Sequence, residues 1–328
     1  MHSSKRALLI AACGLALGAA PFAAAAQAQT QAAWPTKTVR ILVGFPAGST
    51  PDMAARSIAE PLAKVLGHPV IVDNRAGASG NIATDLVAKS NDDHTLGVVI
   101  NGNLTSAKML YPQLPYDPAK DFSYISLIAT APLVLVAPTS LPDGKAFFDA
   151  ARQSGTKWNY GSVGVGSVGH LGIELLKNKV PGMDAVHVPF QGNPAVLTGL
   201  LGGQIQMALV PPGLALAQVK AGRLKAIGLT SGRSALAPEI APLADVGLRD
   251  FQLEVWTALI GPAGLSKDAQ ARLASAMGEV MRNEETRRQL FVQGWQAVGT
   301  SSDGLKRRVQ EESGIMKSII SARGIKLQ

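Results

Sequence analysis

Two series of short, continuously apolar runs, each alternating with longer amphipathic stretches, restrict this chain more than any other feature. In the first series Val39 to Phe45 precedes the stretch Asp52 to Leu66, Val70-Ile71-Val72 precedes Ile82 to Lys89, and Leu96 to Ile100 follows. In the second, Trp158 to Val163, Ala185 to Phe190, Ile205 to Val210 and Leu224 to Thr230 read as strands. Helices are expected between them over Val168 to Lys179, Ala195 to Leu201 and Leu214 to Ala221. Strands that are apolar without alternation are covered on both faces, as in a mostly parallel sheet flanked by helices. Two such series make an α/β chain of two lobes, and a mature length of about 300 residues favours two cores over one.

Tyr124 to Ala137, a long apolar run containing Pro132, lies between the series, and Phe251 to Ile260 follows the second. Read as two hinge strands, they insert the second lobe into the first. Residues 34–132 plus 257–328 then form lobe 1, and residues 133–256 form lobe 2. The tail from Lys267 to Arg323 is expected to be mostly helical and packed on lobe 1. Pro61 falls inside the first expected helix and should kink it, at about 3 kcal/mol if the site is interior.

The N-terminus carries an export signal. His2-Ser3-Ser4-Lys5-Arg6 is basic, Ala7 to Ala26 carries no charge, and Ala24-Ala25-Ala26 and Ala26-Gln27-Ala28 both fit an A-x-A cleavage site. That is the layout of a secretory signal peptide over residues 1–28. A membrane anchor is the competing reading, but the run is rich in Ala and Gly and contains Pro21. Lipidation at Cys13 would leave only Ala7 to Ala12 as apolar core, too short for the purpose. Cleavage removes the only cysteine, which suits an oxidising compartment. Basic residues fall from 31 to 29 against 23 acidic ones, a net charge of +6. That charge is scattered, and its densest patches, Arg287-Arg288 and Lys306-Arg307-Arg308, have no interleaved aromatics. Nucleic acid is therefore not an expected partner.

Open α/β sheets bind ligands beyond the carboxyl ends of their strands. One such end is Phe45-Pro46-Ala47-Gly48-Ser49-Thr50-Pro51-Asp52, where a small-residue turn leads into a helix with several N-cap candidates. Exposed backbone N–H groups and the helix dipole there favour an anion. The bland alternative is an ordinary capped strand-to-helix loop. A second such end is Asn159 to His170, in which Gly164 to Gly169 satisfies G-x-G-x-x-G. A dinucleotide fold would place an acidic residue at the end of the next strand, but Asp184 precedes that strand and Phe190-Gln191 end it. The segment therefore reads as a second anion-accepting helix start, with Ser162 and Ser167 nearby.

Other chemistries find little support. Ser167 and His170 could touch on one helix face, but Val165 breaks the G-x-S-x-G elbow of a hydrolase. In the first turn of a helix His170 should stay neutral, as a structural or ligand-facing donor. The five histidines form no i, i+4 pair, and Asn91-Asp92-Asp93 lacks calcium-loop spacing, so no metal site is expected.

Taken in order, the segments resemble the Bug receptors of tripartite tricarboxylate transporters. The resemblance runs from Trp34-Pro35-Thr36-Lys37 almost to the C-terminus. It is carried by FPAGSTPD at 45–52, NRAGASGNI at 74–82, LPYDPAKDF at 114–122, NYGSVGVGSVGHL at 159–171, HVPFQGNPA at 187–195 and LLGGQIQ at 200–206. It implies a two-lobed type II periplasmic-binding fold closing over a ligand, whose carboxylates are held largely by backbone and water contacts. It also implies a periplasmic, non-enzymatic, monomeric receptor without cofactor that delivers a small-molecule carboxylate to membrane permease subunits. A secreted carboxylesterase or dehydrogenase on a similar scaffold is the alternative.

The chain departs from the family pattern at several positions. Ser49 replaces a glycine, Phe190 and Gln191 replace Tyr and Lys, Val210-Pro211-Pro212 replaces a more polar segment, and Asn101-Gly102-Asn103 is unusual. The expected ligand residues are Phe45, Pro46, Ala47, Gly48, Ser49, Asp52, Asn101, Asn103, Ser162, Gly164, Gly166, Ser167, His170, Phe190, Gln191 and Pro211. With one lysine fewer, this pocket should be less cationic than its relatives'.

Overall fold

A computed structural model describes residues 34–326; the expected signal peptide and Cys13 lie outside them. The strands are β1 (Val39–Val43), β2 (Val70–Asn74), β3 (Thr95–Ile100), β4 (Phe122–Pro132), β5 (Val134–Pro138), β6 (Asn159–Ser162), β7 (Val186–Pro189), β8 (Met207–Val210), β9 (Leu224–Leu229), β10 (Glu254–Pro262) and β11 (Gln296–Ala297). The helices are α1 (Thr50–Leu66), α2 (Asn81–Ala88), α3 (Asn101–Leu104), α4 (Ala107–Leu110), α5 (Gly144–Ser154), α6 (Val168–Lys179), α7 (Asn193–Leu201), α8 (Pro212–Lys220), α9 (Lys267–Arg282), α10 (Glu284–Val292) and α11 (Ser302–Arg323). Helix α1 continues through Pro61.

The strands form two sheets, ordered β11-β4-β10-β3-β1-β2 and β7-β6-β8-β5-β9. Parallel pairing is confined to β2-β1-β3 in the first sheet and β7-β6-β8 in the second. The remaining pairs are antiparallel, because the strands that carry the chain between sheets, β4, β5 and β10, run against their neighbours. The architecture is thus α/β with two helix-flanked sheets, each mixed where mostly parallel pairing was expected. The fully buried strand β3 and the buried residues of β8 explain the unbroken apolar runs of the sequence.

The long run from Tyr124 to Ala137 divides at Pro132-Leu133, with β4 in one sheet and β5 in the other. The returning strand β10 already pairs with β4 at Glu254, so re-entry into the first sheet comes before residue 257. Both passages meet at Thr230, which is wholly buried. Its hydroxyl accepts the Leu133 N–H at 2.8 Å and donates to the Leu253 carbonyl at 2.7 Å. Its backbone N–H and carbonyl bond Leu133 and Leu253 as well. Thr230→Val should keep the shape of this crossing but strand a buried donor and an acceptor, costing about 2–3 kcal/mol. A urea midpoint unchanged from wild type would rule out this role.

The C-terminal helix differs from the expectation that the tail packs on one lobe. Leu305 and Val309 of α11 join the first-sheet core around Trp256, whereas Met316 and Ile319 join the second-sheet core with Tyr160 and Leu171. Arg323, in its last turn, bonds Glu174 of α6 at 3.0 Å. A helix of 22 residues is about 33 Å long, enough to reach from one core to the other.

Candidate functional site

The carboxyl ends of β1, β3, β6 and β8 face a cleft between the two sheets, and helices start there from both sides. An inner chamber of about 40 Å³ is walled by Ser49, Thr50 and Pro51 at the start of α1 and by Ser167, Val168 and Gly169 at the start of α6. Gly192 and Asn193 at the start of α7, Pro211 before α8, and Asn101 after β3 complete it with Phe45, Leu133, Val163 and Val255. An outer chamber of about 280 Å³ shares Phe45 and Val163 and adds Pro46, residues 76–80, Tyr111, Gly164, Val165, Pro189, Phe190 and Gln191. At about 10–15 Å³ per water, the inner chamber has room for about three waters or the head of a small organic molecule.

No charged side chain appears in either lining. What the walls offer instead are first-turn N–H groups, which have no intrahelical partner, at the positive ends of α1, α6 and α7, whereas α8 opens on Pro211-Pro212 and brings no N–H there. An anion seated there meets convergent donors and dipoles without meeting a cationic side chain. Ser49 occupies the N-cap of α1, yet its side chain makes no cap bond. Ser167, by contrast, caps α6 by accepting the His170 N–H at 3.3 Å.

The expected site residues fall into two groups. Phe45, Pro46, Ser49, Asn101, Gly164, Ser167, Phe190, Gln191 and Pro211 line the chambers. Ala47, Gly48, Asp52, Asn103, Ser162, Gly166 and His170 do not, and the hydrogen bonds of most of them show why. The Gly48 N–H donates to Asp52 Oδ2 at 2.8 Å. Asp52 is buried and also accepts from Asn74 and pairs with Arg56 at 3.0 Å. Burial alone would raise its carboxyl, but Arg56, Asn74 and Gly48 outweigh this and hold it below the usual range. Asp52 therefore braces the loop as an anion. Asn103 similarly ties Ser79 O and Asn81 Oδ1 at 3.0 and 2.9 Å.

In the second loop the glycine amides are also consumed locally. The Gly164 N–H donates to Ser162 Oγ at 3.1 Å and the Gly166 N–H to His170 Nδ1 at 3.1 Å. Ser162 Oγ lies 2.7 Å from His187 Nε2. Behind the loop the rings of Tyr160, His170 and His187 stack, with His170 and His187 centroids 4.1 Å apart. Burial pushes His170 down to about 4. Burial and the neighbouring His170 push His187 down to about 3. Both rings are neutral at pH 7, and His170 serves as an acceptor that fixes Gly166. Below them the Tyr160 hydroxyl donates to Glu174, which also pairs with Lys177 and Arg323 at 2.9 and 3.0 Å. Burial of Glu174 opposes its ionisation, yet these three donors hold its carboxyl below the usual range.

The free donors are thus the first helical amides, such as those of Thr50 and Val168, two residues beyond Gly48 and Gly166. Sequence reasoning also missed the contribution of Ala78-Ser79, although the cluster Gly77 to Gly80 after β2 is a comparable strand-end signal. Ala78 and Ser79 both hold left-handed backbone, at φ 47° and 56°. Across the cleft the two halves meet through small groups. Ser106 Oγ donates to Gly166 O at 2.6 Å, Tyr111 Oη to Val165 O at 3.2 Å, and Asn193 Nδ2 to Thr50 Oγ1 at 2.7 Å.

Among the described residues no helix is long and apolar enough to cross a membrane. No group of three or more His, Cys, Asp or Glu that could hold a metal occurs among them either.

Comparison with known proteins agrees with this geometry. The structure resembles MatC from Rhodopseudomonas palustris with bound malate, with a TM-score of 0.82 and 29% identity over 88% of this chain and 100% of that one. A second R. palustris structure, solved with adipate, gives a TM-score of 0.85 at 28% identity, covering 90% of this chain and 100% of that chain. Protein BugT of Bordetella pertussis is 28% identical over 98% of each sequence. The TctC family, described as the tripartite tricarboxylate transporter family receptor, matches residues 54–325. With that match spanning most of its length, the chain belongs to the TctC family of tripartite tricarboxylate transporter receptors.

Proposed function

We propose that this receptor captures a small organic carboxylate in the cleft, in the periplasm, and delivers it to membrane permease subunits without chemically changing it. The observation that carries the reading is the inner chamber. It is walled by helix starts from both sheets, and no charged side chain appears in its lining, so a carboxylate would be neutralised by N–H dipoles. The malate and adipate in the two similar structures support the same ligand class. In this reading residues 1–28 are removed on export and the mature chain works as a monomer. Residues 34–132 together with the segment from β10 onward move as one lobe and the intervening residues as the other, with α11 spanning both.

A secreted esterase would need an activated nucleophile near the cleft. Ser167 and Ser162 are instead engaged in loop bonds to Gly164 O, at 2.8 and 3.0 Å. The test is thermal shift against a panel of di- and tricarboxylates, with chromatography of the mixtures after incubation. At least one carboxylate should raise the melting temperature by several degrees at about 100 times its Kd, with every compound recovered intact. Hydrolysis of carboxylate esters at a rate abolished by Ser167→Ala would overturn the reading.

A further inference from the structure

Helix α11 enters two cores in succession, and its anchors stop on either side of a single turn. On the first-sheet side Leu305 and Val309 are buried around Trp256, and Glu312 accepts the Trp256 Nε1–H. On the second-sheet side Met316 and Ile319 are buried with Tyr160 and Leu171, and Arg323 pairs with the buried Glu174 at 3.0 Å. Between Glu312 and Met316 lie Ser313, Gly314 and Ile315. Gly314 and Ile315 are exposed, and a Cβ added to Gly314 would meet no neighbouring element within 4 Å.

That turn is also weak in its own right. Glycine inside a helix destabilises it relative to alanine, because its backbone has more freedom to lose. Hydroxyls bond back along the helix on either side of it. Ser313 Oγ donates to the Val309 carbonyl at 2.6 Å, and Ser318 Oγ to the Gly314 carbonyl at 3.0 Å. Such bonds to the carbonyl four residues earlier bend helices, and Gly/Ser pairs are among the usual places where helices kink.

When the lobes turn against each other, α11 has three ways to respond. Riding with the first sheet would draw Met316 and Ile319 into water and leave buried Glu174 without Arg323. Riding with the second would expose Leu305 and Val309 and part Glu312 from Trp256. Bending between Glu312 and Met316 breaks none of these contacts, so it costs least.

We propose that α11 is a third connection between the lobes and that Ser313-Gly314 is its flexure, where the helix bends as the cleft opens and closes. This rests on the lobe movement of the proposed function and adds the element that must yield for it.

The experiment measures distances between pairs of nitroxide labels. The only cysteine of the chain is Cys13, so mature protein beginning after residue 28 can be labelled at introduced cysteines. Three pairs at exposed positions are needed: Lys64→Cys with Lys306→Cys within the first lobe, Lys157→Cys with Ser321→Cys within the second, and Lys64→Cys with Lys157→Cys between them. Each is measured without acid and with a millimolar mixture of succinate, malate, adipate and citrate. Gly164→Val, whose side chain would meet Ser79 across the cleft, supplies an open reference that does not depend on the acid. The interlobe distance should shorten by several ångströms from the open reference to the acid-bound protein, while both intralobe distances stay the same. A shift in either intralobe pair would show α11 riding on one lobe, overturning the flexure but leaving lobe closure. An interlobe distance that never changes would remove both. Hydrogen exchange then places the bend. Amides 314–318 should be the least protected in the helix interior, and Gly314→Ala should slow them about fivefold, the equivalent of the roughly 1 kcal/mol by which Ala favours a helix over Gly. A minimum of protection within 305–312, or no slowing in the variant, would overturn Ser313-Gly314 as the flexure.

Discussion

Gly164→Val is expected to weaken ligand binding about a hundredfold or more while the protein stays folded. Gly164 has φ 125°, a conformation that L side chains rarely adopt, and it faces Ser79 across the cleft. A Cβ at this position would overlap Ser79 Oγ and come within 2.9 Å of Ser79 Cβ. The hydroxyl could rotate away, but the Cβ could not, and a β-branched residue adds further bulk. Because the overlap lies between the two halves, opening the cleft relieves it, and the penalty falls on the closed form. A closure penalty of about 3 kcal/mol cuts the binding-competent fraction, and hence the apparent affinity, about a hundredfold. Gly222→Val is the control, since its φ is also positive, at 66°, but no atom lies within 4 Å of the added Cβ. That variant should lose about 1 kcal/mol of stability to backbone strain and keep its affinity. Calorimetry on both would separate closure from strain, and equal affinity for wild type and Gly164→Val would exclude the closed arrangement as the binding form.

The second large effect is acid sensitivity. His170 and His187 titrate near 6.5 when unfolded but at about 4 and about 3 in the fold, chiefly because burial penalises their charged forms. Below pH 6.5 the unfolded chain therefore binds more protons than the native one, and stability falls as pH falls. Their contribution is full above pH 6.5 and drains away down to the folded values. The loss between pH 7 and pH 4.5 should be on the order of 5 kcal/mol for the two together, read from urea midpoints. Glu174, held below its usual range, adds a further loss under pH 4.5. Protonation of His170, which titrates at about 4 in the fold, would also remove the acceptor for the Gly166 N–H, so ligand affinity should hold to about pH 5 and decline only toward pH 4. His187→Gln should flatten the slope. A midpoint that is constant from pH 7 to pH 5 would contradict the neutral, stacked pair.

Much of the fold was legible because its strands are buried on both faces and its helices are bounded by small residues. The expected helix Val168 to Lys179 is the observed one, and the strands of both series fall where the apolar runs lie. Helix α5 and the turns α3 and α4 were not foreseen. Two of them are only four residues long, too short for a 3.6-residue period to register. Helix α11 shows a different limit. Periodicity identifies an apolar face, but not that Val309 and Met316 on one helix enter different cores.

The candidate site was legible as loops and less so as atoms. Glycines and N-cap serines marked the right strand ends, yet the turns they permit send the Gly48, Gly164 and Gly166 N–H groups back into the protein. The free donors pass to the next residues, such as Thr50 and Val168, two positions beyond Gly48 and Gly166. Asn101 was conspicuous in the sequence, but its partner Glu312 lies 211 positions away, and only the fold joins them.

On the proposed function a carboxylate's charge is held by helix starts rather than by cationic side chains. Calorimetric titration of the best-binding acid against the same compound with its carboxylates converted to neutral amides tests it most directly. The acid should bind at least about a hundredfold tighter, because the amide brings its own N–H groups against the N–H donors of the chamber wall. An amide that binds as tightly as the acid would contradict the claim.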